Sequence, residues 1–339
     1  YNNSEMIQKF IIGLLKIIDQ SKSENSICLA LESISYFIQA VDISLFGETL
    51  DRIMNLVVDI LECNHPVLYN SGEEEQFLSS DMLSSVSFII FSIIDVVSSE
   101  TCLNLFSNII PIILKYANSD KLCNQTFAIE IIVVYIEKTA ENITSDFLQS
   151  VLSLAITIST KGNYMGFYCI KKLVTISPDL ISSNLQQILP IFQSTLTASK
   201  KNSKKNLRMF DNCITSLGSI IMNILGEQFP IQEYAPYIFS NMPAQADFSE
   251  NPEMFLFFMW ILGKYPTMFV SEYISVLARL FGRSEEELKA CSIEDSTLQT
   301  LKQILLRFIS QTPNSTDICK KALNNNKTKI RLLQQFLSQ

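Results

Sequence analysis

A short segment centred on one residue position, often a proline, recurs along the chain and limits the folds that the chain can adopt. The clearest copies are Leu105–Lys121, Leu185–Lys201 and Ile231–Asp247. Each has a polar start, an apolar pair, a proline, further apolar residues and a polar loop. Counted by the residue in the proline position, the copies lie at Gly13, Asn55, Pro111, Ser153, Pro190, Pro236 and Ser275. A repeat of about 41 residues is typical of stacked helical units.

A second apolar segment follows each copy, with apolar residues at three- and four-residue steps that predict one buried face of a helix. We expect these second helices at Ile27–Val41, Leu83–Val97, Phe127–Ala140, Tyr164–Ile176, Leu207–Leu225, Met254–Lys264 and Leu298–Ile309. Such a helix pair leaves apolar surface that only a neighbouring pair can bury. The predicted fold is therefore all-α, an α-solenoid or superhelix of about seven helix pairs.

We expect one solenoid over residues 1–339, as part of a longer protein because the chain starts at Tyr1. One interval between copies is longer than the others, and the excess coincides with a polar stretch at residues 64–80. That stretch contains Glu73, Glu74 and Glu75, and we interpret it as an acidic insertion loop between helices. Residues 313–339 are expected to form C-terminal capping helices.

Composition excludes several classes of protein. Only 9 glycines are present, too few for a fold built on many tight β-turns. The mean hydropathy is +0.22, but no apolar stretch approaches the roughly 20 residues that a transmembrane helix needs. The net charge of −8 disfavours nucleic acid and permits basic partners. The eight scattered cysteines indicate a reducing compartment rather than disulfides or a metal site.

No set of residues in the sequence suggests catalysis. The single histidine, His65, precedes Pro66 in a predicted loop. The sequence has no Gly-rich phosphate loop, no Ser-His-Asp set and no spacing typical of metal ligands. We therefore expect no enzymatic activity and no cofactor.

Helix pairs of about 40 residues with a proline in the first helix resemble HEAT repeats. A narrower resemblance lies at Phe210–Met222, FDNCITSLGSIIM, which follows the lysine-rich loop Lys200–Lys205. This segment is similar to a helix of importin-beta (karyopherin-beta) superfamily receptors, of the importin beta-3 type. The resemblance implies the C-terminal HEAT-repeat region of a nuclear import receptor, found in the cytoplasm and nucleus and associated with the nuclear pore.

The same resemblance implies which partners the chain has. They are protein cargo with basic localisation segments, FG-nucleoporins, and the small GTPase Ran, which would bind through N-terminal repeats outside this chain. Direct binding of nucleic acid and insertion into a membrane are not expected. A HEAT-repeat scaffold or adaptor subunit of another multiprotein complex, of the phosphatase or trafficking type, fits the repeat pattern as an alternative.

In import receptors the second helices line the concave surface, where acidic, Asn and aromatic side chains hold basic peptides. The resemblance therefore implies these cargo-facing residues: Glu32, Glu130, Glu137, Asp211, Asn212 and Trp260. Glu32 and Glu130 each follow their proline position by 19 residues, so we expect them to share one acidic stripe. Trp260 also fits core packing, and Glu73–Glu75 also fits a role in solubility alone.

Overall fold

The computed structural model describes residues 3–65, 78–198 and 204–338. Over these ranges the chain forms nineteen α-helices joined by short turns, with no β-strand. The prediction of an all-α chain of repeated helix pairs is confirmed. Glu73, Glu74, Glu75 and the lysines Lys200 and Lys201 lie outside the described residues.

The chain divides into two compact units, Tyr1–Leu154 and Ala155–Gln339, with the boundary inside one helix. The helices up to this boundary are α1 Asn3–Gln20, α2 Glu24–Ala40, α3 Glu48–Leu61, α4 Ser80–Val96, α5 Ser99–Phe106, α6 Ile109–Ala117, α7 Leu122–Thr139 and α8 Ser145–Thr160. α8 contains the boundary.

The second unit continues with α9 Tyr164–Ile176, α10 Pro178–Ser183, α11 Leu185–Thr197, α12 Lys204–Ile220, α13 Ile231–Asn241, α14 Asn251–Lys264, α15 Val270–Phe281, α16 Glu285–Ala290, α17 Asp295–Gln311, α18 Ser315–Ala322 and α19 Lys327–Ser338. A π-helical turn at Ile221–Leu225 extends α12. The predicted second helices correspond to α2, α4, α7, α9, α12, α14 and α17. Helices α18 and α19 cover most of residues 313–339.

The proline position lies on the exposed side of the first helices. Pro190 is inside α11 and Pro236 is inside α13, and both residues are exposed. Proline cannot donate to the carbonyl four residues earlier, which here belongs to Gln186 and Gln232, also exposed. Water can hydrate carbonyls on this side, which reduces the usual cost of about 3 kcal/mol for proline within a helix. Pro111 lies in the first turn of α6, where the N–H would have no helical partner.

Serine side chains allow close packing of the second helices in the first unit, where α4 packs between α2 and α7. The Oγ atoms of Ser35 and Ser92 are 2.7 Å apart, and Gln39 donates to Ser92 over 3.0 Å. Ser35 also donates to the carbonyl of Phe88. Small hydroxyl side chains let the helices approach, and their pairing removes the cost of burying polar atoms. None of the described helices is long and apolar enough to cross a lipid bilayer.

Candidate functional site

The second helices of the first unit carry a strong excess of negative charge. Their acidic residues are Glu24 and Glu32 on α2, Asp81 and Asp95 on α4, and Glu130 and Glu137 on α7. The only basic residue on these helices is Lys138. None of the six acidic residues is buried. We call the surface formed by these six side chains the acidic face.

The packing of α2, α4 and α7 brings these side chains onto neighbouring exposed lines. On α4 the exposed line runs through Asp81, Ser84, Phe88 and Asp95, at three-, four- and seven-residue steps. Ser85, next to this line, donates to Glu32 Oε1 of α2 over 3.4 Å. The acidic face therefore joins α2 directly to α4, and an aromatic ring that is 49% exposed, Phe88, lies between the two acids of α4.

At the other edge, α7 exposes one line that includes Glu130, Val134 and Glu137. Lys138 Nζ donates to the carbonyl of Asp95 over 3.0 Å, which joins α7 to the C-terminal end of α4. Glu32, Glu130 and Glu137, which the sequence singled out, thus lie on two second helices, α2 and α7, which pack on either side of α4. The sequence analysis did not predict Glu24, Asp81 and Asp95. The absence of any basic residue in α2 and α4 could have indicated them.

The ionised form of Glu130, one of the six acidic residues of this face, is destabilised by its surroundings. It is half-buried, and burial raises the pKa of its carboxyl above the usual value. A basic ligand that covered Glu130 would supply the missing compensation for its charge. Glu137, two turns further along α7, is exposed.

We expect Glu130→Gln to stabilise the protein at neutral pH. A carboxyl whose pKa is raised by folding contributes stability below its unfolded pKa, and that contribution is lost as the pH rises through the folded pKa. The gain of the variant should therefore be larger at about pH 7 than at about pH 4.5. Urea unfolding at both pH values measures this difference. Glu137→Gln, on the exposed part of the same helix, is the control and should show little change. A less stable Glu130→Gln variant at neutral pH would contradict the assignment.

Asp211 and Asn212, also expected to face cargo, lie in the interior of the second unit, each 1% exposed. The carboxylate of Asp211 accepts hydrogen bonds from the backbone N–H groups of Gln245, Ala246 and Asp247, at 2.8–3.1 Å. Asn212 Nδ2 donates to the carboxylate of Asp247 and to the carbonyl of Arg208. Both side chains therefore form hydrogen bonds within the chain, and these bonds hold the loop after α13 against α12.

A buried ion pair lies next to this loop. Lys171 of α9 and Glu250, just before α14, are 5% and 6% exposed, with Nζ–O distances of 2.8 and 3.0 Å. Lys171 Nζ also lies 2.7 Å from Glu253 Oε2, and the hydroxyl of Thr215 donates to Glu250. These contacts join α9, α12 and α14. The sequence reasoning missed them because the paired residues are 79 positions apart.

Packing against neighbouring helices explains which residue types occur in the motif Phe210–Met222. Ser216 donates to the carbonyl of Phe167 over 2.6 Å. A Cβ added at Gly218 would lie 2.7 Å from Cγ of Phe257, so α14 approaches α12 where only glycine leaves room. The motif is the central helix of its unit and presents almost no surface, since residues 210–218 are all buried.

Trp260 lies on α14, the helix that forms one wall of a small apolar groove between α14 and α17. It is half-buried and stacks on Phe257, with 6.4 Å between the ring centroids. The groove has a volume of about 290 Å³ and is lined by Phe255, Leu256, Met259, Ser296, Thr297 and Thr300. Leu256 is 63% exposed, so the groove opens to solvent through an apolar side chain. Trp260 thus packs against Phe257 while part of its side chain stays exposed, and it is not among the residues that line the groove.

The described residues include no cluster of histidine, cysteine and carboxylate side chains that could hold a metal ion. All eight cysteines are free, and seven of them are buried. Burial raises the pKa of each of these seven thiols: Cys28, Cys63, Cys102, Cys169, Cys213, Cys291 and Cys319. They stay neutral at physiological pH and act as small apolar side chains. His65 is buried, with Nε2 3.2 Å from the carbonyl of Ile18.

The fold and these surfaces define a class: an all-α protein of repeated helix pairs with an acidic face on its second helices. No protein-family model matches the chain. No curated protein matches it in sequence either. The assignment of function therefore depends on the acidic face and on the apolar groove.

Proposed function

We propose that the chain is a protein-binding scaffold that holds basic segments of other proteins on its acidic face, as the C-terminal part of a nuclear import receptor. The observation that carries this proposal is the composition of α2, α4 and α7, with six acidic side chains against one lysine. No catalytic step is part of the proposed function.

Binding at the acidic face would combine charge with apolar contact. Opposite charges at a surface steer a basic segment to the face and weaken as salt is added. Phe88, between Asp81 and Asp95, offers an exposed ring on which a guanidinium or an alkyl chain of the segment packs. An extended peptide with alternating basic side chains fits this arrangement better than a folded basic surface, because the acidic lines run along neighbouring helices.

The groove between α14 and α17 supports the second expected partner. Phe-Gly repeats of nucleoporins present single phenylalanine rings on a flexible chain. A groove of about 290 Å³ with Leu256 and Met259 at its wall offers room and apolar contact for one such ring. In this proposal the receptor acts in the cytoplasm and nucleus, and Ran binds to repeats outside this chain.

The test is a charge reversal on the acidic face. Asp95→Lys combined with Glu137→Lys should weaken binding of a labelled Lys/Arg-rich peptide by about tenfold or more, because attractive charge pairs become repulsive. The measurement is fluorescence anisotropy at low and at physiological salt. Wild-type affinity should fall as salt rises, whereas the weak binding of the variant should change little.

The matched control places the same two charge changes on α3 and α5 of the same unit, outside the acidic face. Glu48 begins α3 and Glu100 lies in the first turn of α5, and both are exposed. Glu48→Lys combined with Glu100→Lys should leave most of the affinity. Equal losses in the two double variants would show that only net charge matters. A wild-type chain that retains neither the basic peptide nor Phe-Gly repeats would refute the transport receptor.

One observation favours the alternative, a scaffold or adaptor subunit of another multiprotein complex of the phosphatase or trafficking type. The motif Phe210–Met222 is accounted for by packing inside its unit, so its resemblance carries no direct evidence of cargo binding. An adaptor would bind folded subunits. Co-purification of a stable folded partner that competes with the basic peptide would favour this alternative.

A further inference from the structure

A groove in the second unit has the opposite charge to the acidic face. It lies between the C-terminal end of α13 and helices α15, α18 and α19, with a volume of about 790 Å³. Four cationic residues line it: Arg279 from α15, Arg283 from the turn that follows α15, Lys321 from α18 and Lys329 from α19. None of the described side chains that line it is acidic. We call it the basic groove.

Its two arginines are held in place by neutral acceptors. Together they donate to the carbonyl oxygens of Phe239, Met242 and Ala244 and to the sulfur of Cys291. Burial raises the pKa of the Cys291 thiol, so that acceptor remains uncharged. Each guanidinium uses two of its five N–H groups in these bonds. The arginines are thus oriented before any ligand arrives, and N–H groups on each are left over.

Within the described part of the chain, none of the four cations in the groove forms an ion pair with a carboxylate. Burial, together with the neighbouring charge of Arg283, lowers the pKa of Arg279 to about 10. Arg279 still carries its proton at physiological pH. Two cations that repel each other at the wall of a partly enclosed groove favour an anion between them, and no acidic side chain among the described residues lines the groove.

The rest of the lining indicates what kind of anion fits. Serine hydroxyls line one side, from Ser240, Ser271 and Ser275. Apolar side chains line much of the remainder: Met242, Pro243, Ile318, Ala322 and Leu323. Phosphate oxygens accept from guanidinium and hydroxyl groups. A free inositol polyphosphate is polar on every side and would leave the apolar part of the groove unfilled, whereas a phosphorylated peptide fills both parts.

We propose that the basic groove binds a phosphorylated segment of a partner protein. The phosphate would lie against Arg279 and Arg283, with Lys321 and Lys329 adding long-range attraction from the opposite helices. Apolar residues next to the phosphorylated one would contact Ile318 and Ala322, which are both partly exposed. This site goes beyond the proposed function, because its ligand has the opposite charge to the segments held by the acidic face.

The test uses a degenerate peptide pool with one fixed phosphoserine among apolar and neutral positions, compared with the same pool lacking phosphate. Fluorescence anisotropy on the full chain should show that phosphorylation tightens binding by about tenfold or more. Lys321→Ala combined with Lys329→Ala should remove most of this preference. Both lysines are exposed, so these changes spare the hydrogen bonds of the arginines.

Lys320 on α18 and Lys327 on α19 supply the matched control, since both are exposed and neither lines the groove. Lys320→Ala combined with Lys327→Ala removes the same charge from the same helices and should retain the preference for phosphate. Equal loss in both double variants would overturn the proposal. So would equal binding of the two pools, or binding of inositol hexakisphosphate or of anionic lipid vesicles without binding of the phosphorylated pool.

Discussion

Lys171→Met should lower the free energy of unfolding of the second unit by about 3–5 kcal/mol, the cost of removing one partner from a buried ion pair. Glu250, 6% exposed, would lose the ammonium group that compensates the burial of its carboxyl. The hydroxyl of Thr215 would remain its hydrogen-bond donor, which compensates only part of the lost contact. The carboxylate of Glu253 would be destabilised less, because its side chain is 48% exposed and water can replace the ammonium group of Lys171.

The single tryptophan gives a direct measurement. Trp260 lies on α14 in the same unit, so its fluorescence during urea unfolding reports on this part of the chain. Lys171→Met combined with Glu250→Gln should regain much of the lost stability, since no uncompensated charge is then buried.

Lys264 forms an exposed ion pair with Glu227 and provides the control. Lys264→Met should cost less than about 1 kcal/mol, as exposed pairs do. If Lys171→Met cost no more than Lys264→Met, the ion pair would not be buried in solution. If the double variant were as unstable as the single one, packing rather than charge would be the cause.

Asp211→Ala should destabilise the same unit by about 2–4 kcal/mol, because three partly buried backbone N–H groups lose their shared carboxylate acceptor. The N–H groups of Gln245, Ala246 and Asp247 belong to the loop between α13 and α14. They have no other acceptor among the described residues. Asp211→Asn should cost less, since its one carbonyl oxygen can still accept from Ala246 and Asp247. Urea unfolding followed by Trp260 fluorescence measures both variants.

The loss of stability expected for Asp211→Ala distinguishes a structural role of this side chain from contact with cargo. Burial raises the pKa of Asp211, while the backbone N–H groups of Asp247, Ala246 and Gln245 act in the opposite direction. Asp295, exposed in the first turn of α17, serves as the control, and Asp295→Ala should cost less than about 1 kcal/mol. An Asp211→Ala variant with wild-type stability and weaker binding of basic peptides would restore the surface role implied by the resemblance.

The course of the helices could be predicted in detail. Tyr164–Ile176 matches α9 at both ends, and Met254–Lys264 ends where α14 ends. The repeated proline position also marked one side of the first helices. Periodicity succeeds here because a helix that buries one face must repeat its apolar residues at helical steps, and stacking repeats that requirement in every pair.

The candidate site could be predicted only in part. Glu32 and Glu130, which share an offset of 19 residues within the repeat, lie on α2 and α7 with Glu137, and none of the three is buried. Asp211 and Asn212 are also polar residues on a second helix, and yet both are buried. Nothing within α12 distinguishes the two cases, because the loop that covers Asp211 begins more than 30 residues later.

By itself, then, the sequence determined the helix type, the pairing and the register of the repeats, since these follow from local spacing and from the scarcity of glycine. Only the tertiary structure decided which polar side chains face water. Lys171 forms an ion pair with Glu250, which lies 79 residues away in the sequence. One groove is likewise lined by cations from distant segments: Arg279, Arg283, Lys321 and Lys329. The physical reason is that the burial and electrostatic environment of a side chain depend on neighbours from distant segments, which the local pattern does not contain.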